Sequence, residues 1–228
     1  MPSDELERFL AAARGPNGTA AAAKIVRLES RDVAATATTW QLATLRGRFV
    51  ELSARGAAAT LTAAIDLVVE AQVQNEPVAW IAPATGTFYP PDVAASGVDL
   101  EALVVIRIAL TKDGKLNAIA AARAAERLLR SGAFGLVVLD LGAADLSMQV
   151  QGRLVTLAQA HDAAVVCITD KSAETASLGS LVSLRVEALR TREPDKHDLA
   201  VTLRAIKDKR RGPGWSQHHK RIAPAGLR

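Results

Sequence analysis

The chain has 228 residues, 49% of them apolar and only 4% aromatic, with 28 Lys and Arg against 24 Asp and Glu for a formal charge of +4. This length accommodates one main domain of about 100 to 200 residues with a small appendage, and the composition calls for a core of Ala, Val and Leu, as in a parallel α/β protein. A single cysteine excludes an intrachain disulfide, no apolar run reaches the roughly 18 residues of a spanning helix, and the acidic start MPSDELERFLAAARG lacks the basic n-region of a secretory leader, so a soluble cytoplasmic protein is expected.

The net charge conceals an asymmetry. From Arg204 to Arg228 eight cations face one acid, Asp208, a local charge of +7 that leaves −3 for the remainder.

In chain order, residues 3–13 predict a short helix capped by Ser3, with Leu6, Phe9 and Leu10 as an apolar stripe. Residues 14–20 are a polar loop, so 1–20 form an N-terminal helix and linker, and residues 34–46 read as a connector. A buried strand over Phe49–Leu52 passes through a Gly-containing turn into a helix from Thr60 to Gln74, with Leu61, Ala64, Ile65, Val68 and Val69 facing inward. Val78–Ala82 is a second strand and Leu103–Ile108 a third. A helix from Leu116 to Ser131 is expected to bury Leu116, Ile119, Ala120, Ala124 and Leu128 and to leave Arg123, Glu126, Arg127 and Arg130 as a solvated face.

GLVVLD (residues 135–140) is the clearest strand, ending in Asp140, and a helix from about Gln149 to Ala160 leads to a strand over Val165–Thr169, which holds the buried structural thiol of Cys167. Alternation at this spacing implies βαβ crossovers and a mostly parallel sheet flanked by helices on both faces. Leu181–Leu189 and Leu199–Ile206 read as an antiparallel pair at one edge, closing a domain over 34–206. Residues 207–228 are expected to form a basic, flexible tail.

RFVELSARGAAATLT (residues 48–62) has the layout of a phosphate-binding loop without its chemistry. Such a loop needs glycines whose amides wrap the phosphates, a Lys, and a hydroxyl for Mg²⁺. Here Gly56 is followed by Ala57, Ala58 and Ala59 before Thr60.

With ASGVDLEALVVIRI and AIAAARAAERLLRSGAFGLVVLD following in order, residues 46–207 resemble the core of the RecA recombinase family. Aligned on Thr60, Leu61 and Thr62, the resemblance places the loop Lys on Ala58, the Mg²⁺-binding hydroxyl on Ala59, the catalytic carboxylate near Ala84 and the γ-phosphate-sensing Gln near Asp170, leaving Asp140 as the retained acid. A RecA-like core without a phosphate loop is similar to the ImuA family of SOS-mutagenesis accessory proteins. That resemblance implies a non-catalytic protein with no cofactor or metal, whose partners are the RecA recombinase, ImuB and, indirectly, an error-prone DNA polymerase, with no membrane. A diverged ATPase or DNA-binding recombination factor, with cations supplied by the C-terminal segment, and an SOS cell-division inhibitor are the alternatives.

The candidate interface is KDKRRGPGWSQHHKR: Lys207, Lys209, Arg210, Arg211, Lys220 and Arg221 offer cations, and Trp215 offers a stacking surface or a partner anchor. Single- or double-stranded DNA, a protein partner and a solubilising role all remain open. His218 and His219 are adjacent and unsuited to sharing a metal.

Overall fold

The computed structural model describes residues 40–85, 88–192 and 198–222. The chain divides into two units, Met1–Thr38 and Thr39–Arg228, and all described residues belong to the second. The expected helix at 3–13, its linker and the first part of the connector at 34–46 lie outside the described residues.

The fold is α/β, a single eight-stranded sheet of order β3-β2-β4-β5-β1-β6-β7-β8. Its strands are β1 (Phe49–Ser53), β2 (Val78–Pro83), β3 (Leu103–Ile108), β4 (Leu136–Gly142), β5 (Ala164–Thr169), β6 (Leu184–Arg192), β7 (Asp198–Asp208) and β8 (Ser216–Ile222). β3 through β6 in that order are parallel, and β7 and β8 add antiparallel strands at one edge. The helices are α1 (Leu42–Leu45), α2 (Thr60–Val73), α3 (Pro90–Ala95), α4 (Ala118–Arg130) and α5 (Met148–Ala160).

Both faces of the sheet are covered, which is why β1, β2, β4 and β5 read as nearly unbroken apolar runs. Val50, Leu52, Val138 and Val166 face one layer, built from Trp40, α1, α2 and α3. Phe49, Val137, Leu139 and Val165 face the other, built from α4 and α5. Cys167 lies fully buried in this second layer, where burial and then the Glu51 carboxylate push its thiol far above the usual range. Among the described residues no helix is long and apolar enough to cross a membrane.

Three sequence expectations change. α4 buries Ala121, Ala122, Ala125 and Leu129 most deeply; of the expected residues Leu116 is buried, Ala120, Ala124 and Leu128 are partly buried against the same layer, and Ile119 is 66% exposed. The helix carries two overlapping apolar stripes, and the alanine stripe goes in because small side chains permit closer approach to the sheet. In α2 Ala64 and Val68 are buried as expected, Ala63, Leu67 and Ala71 join them, and Leu61, Ile65 and Val69 are partly buried against the same layer.

The third change is the tail. Lys207 and Asp208 end β7, and Ser216–Ile222 form β8, so the boundary at 206/207 falls inside a strand and residues 207–222 belong to the sheet. β8 lacks an apolar face because it is an edge strand with polar surroundings, and hydrophobic alternation therefore gives no sign of it. Gly212 and Gly214, both with positive φ, turn the chain between the strands.

Cutting the chain before Lys207 removes β8 and the end of β7. The truncated protein is expected to be insoluble or to lose its cooperative thermal transition, and a cooperative transition within about 3 °C of the full chain would show that these strands are dispensable.

Candidate functional site

At the carboxyl end of the parallel strands, β1 leads away toward β2 while β5 leads over β1 toward β6. Neighbouring strands that leave in opposite directions open a crevice, the usual ligand position of an open α/β sheet. A cleft of about 510 Å³ occupies it, lined by Ala58, Ala59, Thr60 and Thr62 from the β1–α2 connection, by Asp140 and Thr169 from β4 and β5, and by Asp92, Asp170 and Arg190.

The connection is closed. Gly56, with φ +85°, makes the left-handed turn, and the Ala58 amide donates back to the Gly56 carbonyl at 2.8 Å. The chain then runs beside the end of β6: Ala59 N–H donates to the Ala188 carbonyl at 2.9 Å, Arg190 N–H donates to the Ala57 carbonyl at 2.9 Å, and Ala58 pairs with Leu189 as an antiparallel bridge. The Ala58 and Ala59 amides, two of those that would face a phosphate, are bonded within the protein. Among the described residues three carboxylates and one guanidinium line the cleft, and no lysine does.

The predicted positions Gly56, Ala57, Ala58, Ala59, Thr60 and Asp140 therefore lie together, with Asp170 beside them. Asp140 is 8% exposed, and the Thr60 side chain is buried at the start of α2 with no hydrogen bond among the described residues. Ala84 follows β2, its amide bonded to the Ile108 carbonyl, and offers no carboxylate. Arg190 went unnoticed in the sequence because it reaches the cleft from β6, far along the chain.

Beneath the cleft is a buried polar network that the sequence reading also missed. The Glu51 carboxylate, on β1, accepts from Thr169 Oγ1 at 3.0 Å, Ser177 Oγ at 2.6 Å and the Leu178 amide at 3.1 Å. Arg185, its register partner on β6, lies 3.6 Å away and donates to Ser53 Oγ, the Thr175 carbonyl and the Ser172 carbonyl. An acid inside the apolar run FVEL was the available signal.

The C-terminal cations are elsewhere. Asp208 pairs with Leu184 at the start of β6, at the amino end of the sheet, about 13 Å along β6 from Ala188, where the closed loop is bonded. Lys207 Nζ donates to the Gly179 carbonyl, Lys209 Nζ to the Ser180 carbonyl at 2.6 Å, and Arg210 to the Arg46 carbonyl at 3.4 Å. Burial first, and then Lys209, lowers the Lys207 pKa. Trp215 is half-buried: its indole donates to Asp208 Oδ2 at 3.2 Å and its ring packs against the first core layer. Arg211 projects into solvent, Lys220 is exposed on β8, and Arg221 is placed by its backbone pairing with Leu199. His218 and His219 point to opposite sides of β8, His218 toward Thr202 and His219 toward Gln217.

Asp208 organises this end. Its carboxylate takes Arg48 Nη2 at 2.7 Å, the Arg210 and Arg211 amides and the Trp215 indole, and Arg48 also donates to Ser183 Oγ and the Ser183 carbonyl. Burial alone would raise the Asp208 pKa, but the hydrogen bonds from Arg48, the Arg210 amide and Trp215, with the charge of Arg48, hold it below the ordinary carboxylate range. Burial lowers the pKa of Arg48 in turn, against the opposing pull of Asp208.

A carboxylate with a depressed folded pKa adds stability that is complete above its unfolded value, about 3.9, and is lost as pH falls through the folded value. Asp208→Ala is expected to cost about 3 to 5 kcal/mol at pH 7, because Arg48 remains buried without its partner, and to flatten the loss of stability below about pH 4. Urea titrations followed by tryptophan fluorescence at pH 7 and pH 3 read both effects, and an unchanged midpoint at pH 7 would refute the role. Glu51→Ala should cost a similar amount, about 3 to 5 kcal/mol, by leaving Arg185 buried and unpaired, checked by the same titration. No protein-family model matches the chain, and no curated protein matches it in sequence.

Proposed function

We propose that this chain is a non-catalytic accessory protein on a RecA-like core that has given up its nucleotide. In this reading it acts in the cytoplasm during the SOS response, binding the RecA recombinase and an ImuB-type inactive polymerase to recruit or regulate error-prone translesion synthesis. The observation that carries it is the closed β1–α2 connection: the ligand position of the sheet is present, yet its loop is bonded to β6 at Ala57 and Ala59. The cleft's carboxylates, Asp92, Asp140 and Asp170, oppose a polyphosphate further.

The sheet order and the ordered motifs between residues 46 and 207 support the recombinase-like ancestry. A diverged ATPase drawing its cations from Lys207, Lys209, Arg210 or Arg211 is disfavoured, since those residues sit at the other end of the sheet. What remains for function is surface, and the partners follow from the resemblance to the ImuA family.

Calorimetric titration with ATP and Mg²⁺, with and without single-stranded DNA, is expected to give no saturable binding. Micromolar affinity weakened by Asp140→Ala would overturn the pseudo-ATPase reading. Co-sedimentation of the full chain with recombinase filaments preassembled on single-stranded DNA is expected to exceed that with naked DNA. Equal recovery from both would place the contact on DNA and refute recruitment through the recombinase.

A further inference from the structure

We infer that the outer face of α4, together with the turn between β7 and β8, forms a track for the sugar-phosphate backbone of duplex nucleic acid. This surface lies away from the cleft, and the inference does not depend on the accessory-protein reading.

Arg123, Arg127 and Arg130 are all exposed on α4, and none makes a hydrogen bond or ion pair among the described residues. With a rise of about 1.5 Å per residue, successive arginines stand about 6 and 4.5 Å apart along the axis. Acids three or four residues from these cations would each stabilise the helix slightly. The acid available here, Glu126, is turned to Arg153 on α5 at 2.7 Å. Arg123 and Arg127, spaced i and i+4, therefore repel one another, at a cost of a few tenths of a kcal/mol. The negative end of the helix offsets this for Arg127 and Arg130, but Arg123 in mid-helix receives no such compensation. The stripe is a charge surplus held without a local partner.

The fold extends that surplus along the amino end of the sheet. Two residues beyond α4 is Gly132, where a Cβ would lie 3.1 Å from His161 Nδ1. The next residue, Asp162, approaches Gly47, where a Cβ would lie 3.5 Å from Asp162 Oδ1 and 3.9 Å from Arg210 Nη2. From there Lys209, Arg210 and Arg211 follow on the β7–β8 turn. The hydrogen bonds of Lys209 and Arg210 go to neutral carbonyls and leave their charges uncancelled. Of the acids near these contacts, Asp208 is paired with Arg48 and Glu76 with Arg46, and Asp162 lies between the two clusters.

Residues 123–130 and 209–211 are thus brought to one rim, and the class of polyanion follows from what the rim lacks. Single strands are held by aromatic platforms on which bases stack. The aromatics near the rim, Trp215 and Phe134, are packed against the first and second core layers, and the exposed Tyr89 lies at the opposite end of the sheet, beside the cleft. Guanidinium groups without stacking partners suit the evenly spaced phosphates of a duplex, read without sequence preference.

The test is fluorescence anisotropy of the full chain with a labelled mixed-sequence duplex across a salt series. Log Kobs is expected to fall with log salt at a slope of about −3 or steeper, since each neutralised phosphate contributes about −0.9. The triple variant Arg123→Gln, Arg127→Gln, Arg130→Gln replaces exposed side chains and should melt with the native protein. It is expected to bind at least tenfold more weakly with a slope shallower by about 2 to 3. Arg210→Gln with Arg211→Gln should weaken binding further in the same direction. Unchanged affinity and slope in the triple variant would overturn the track. Tighter binding to a single strand of equal length, or full displacement of the duplex by polyglutamate of equal charge, would overturn the assignment to duplex nucleic acid, the latter in favour of an acidic protein.

Discussion

The ion pair between Arg48 and Asp208 ties the two halves of the sheet together. Arg48 immediately precedes β1, the strand buried between β5 and β6, whereas Asp208 closes β7, 160 residues later. Both side chains are almost wholly withdrawn from water, at 2% and 1% exposure. Removing two charges from solvent costs several kcal/mol per ion, and an ion pair alone does not repay it. Further hydrogen bonds add to it: Ser183 takes Nε and Nη2 of Arg48, while two backbone amides and the Trp215 indole bond the carboxylate. The antiparallel strands are therefore fixed to the parallel ones by directional bonds, which specify one arrangement where apolar contact alone would allow several.

The same logic recurs farther along β1. Glu51 and Arg185 are register partners on adjacent strands, and their remaining bonds reach residues 172–178 and Thr169. The segment following β5 is thereby pinned under the cleft, giving the carboxyl end of the sheet a rigid floor. Seen with the Asp208 cluster, this explains what became of the C-terminal basic segment. Several of its polar groups are engaged in holding β7 and β8, so its high charge density is in part structural.

The parallel core was legible because strands buried on both faces leave apolar runs that few other elements produce, and GLVVLD and AVVCIT are such runs. Where small residues dilute the pattern, legibility fell. Alanines in α4 satisfy two inward phases equally, so packing distance decided what periodicity could not. α3 was hidden because PPDVAA reads as a rigid loop, although proline is well tolerated in the first turn of a helix. β8 was hidden because SQHHKRI meets solvent at an edge and needs no apolar face. At the site, Gly56 to Thr60 and Asp140 converge because β1 and β4 are parallel strands of one sheet, separated by β5, and present their carboxyl ends on the same side. Arg190 and Glu51 were not legible, because each acts through a register partner or neighbour more than 100 residues away.

The altered loop departs from a phosphate cradle in its backbone as well as its side chains. A cradle aims successive amides at a common centre, which requires that they have no partners within the protein. Here the Ala59 amide and the Ala57 carbonyl are spent on β6, and the Ala58 amide closes on Gly56. Placing a lysine at 58 and a hydroxyl at 59 would supply side chains to a loop whose amides are already committed. Opening it would break both bonds to β6, while the acids at 92, 140 and 170 would still confront the phosphates. The absence of a lysine and the closure of the loop reinforce one another: alanines permit close apposition to β6, and that apposition engages the Ala59 amide.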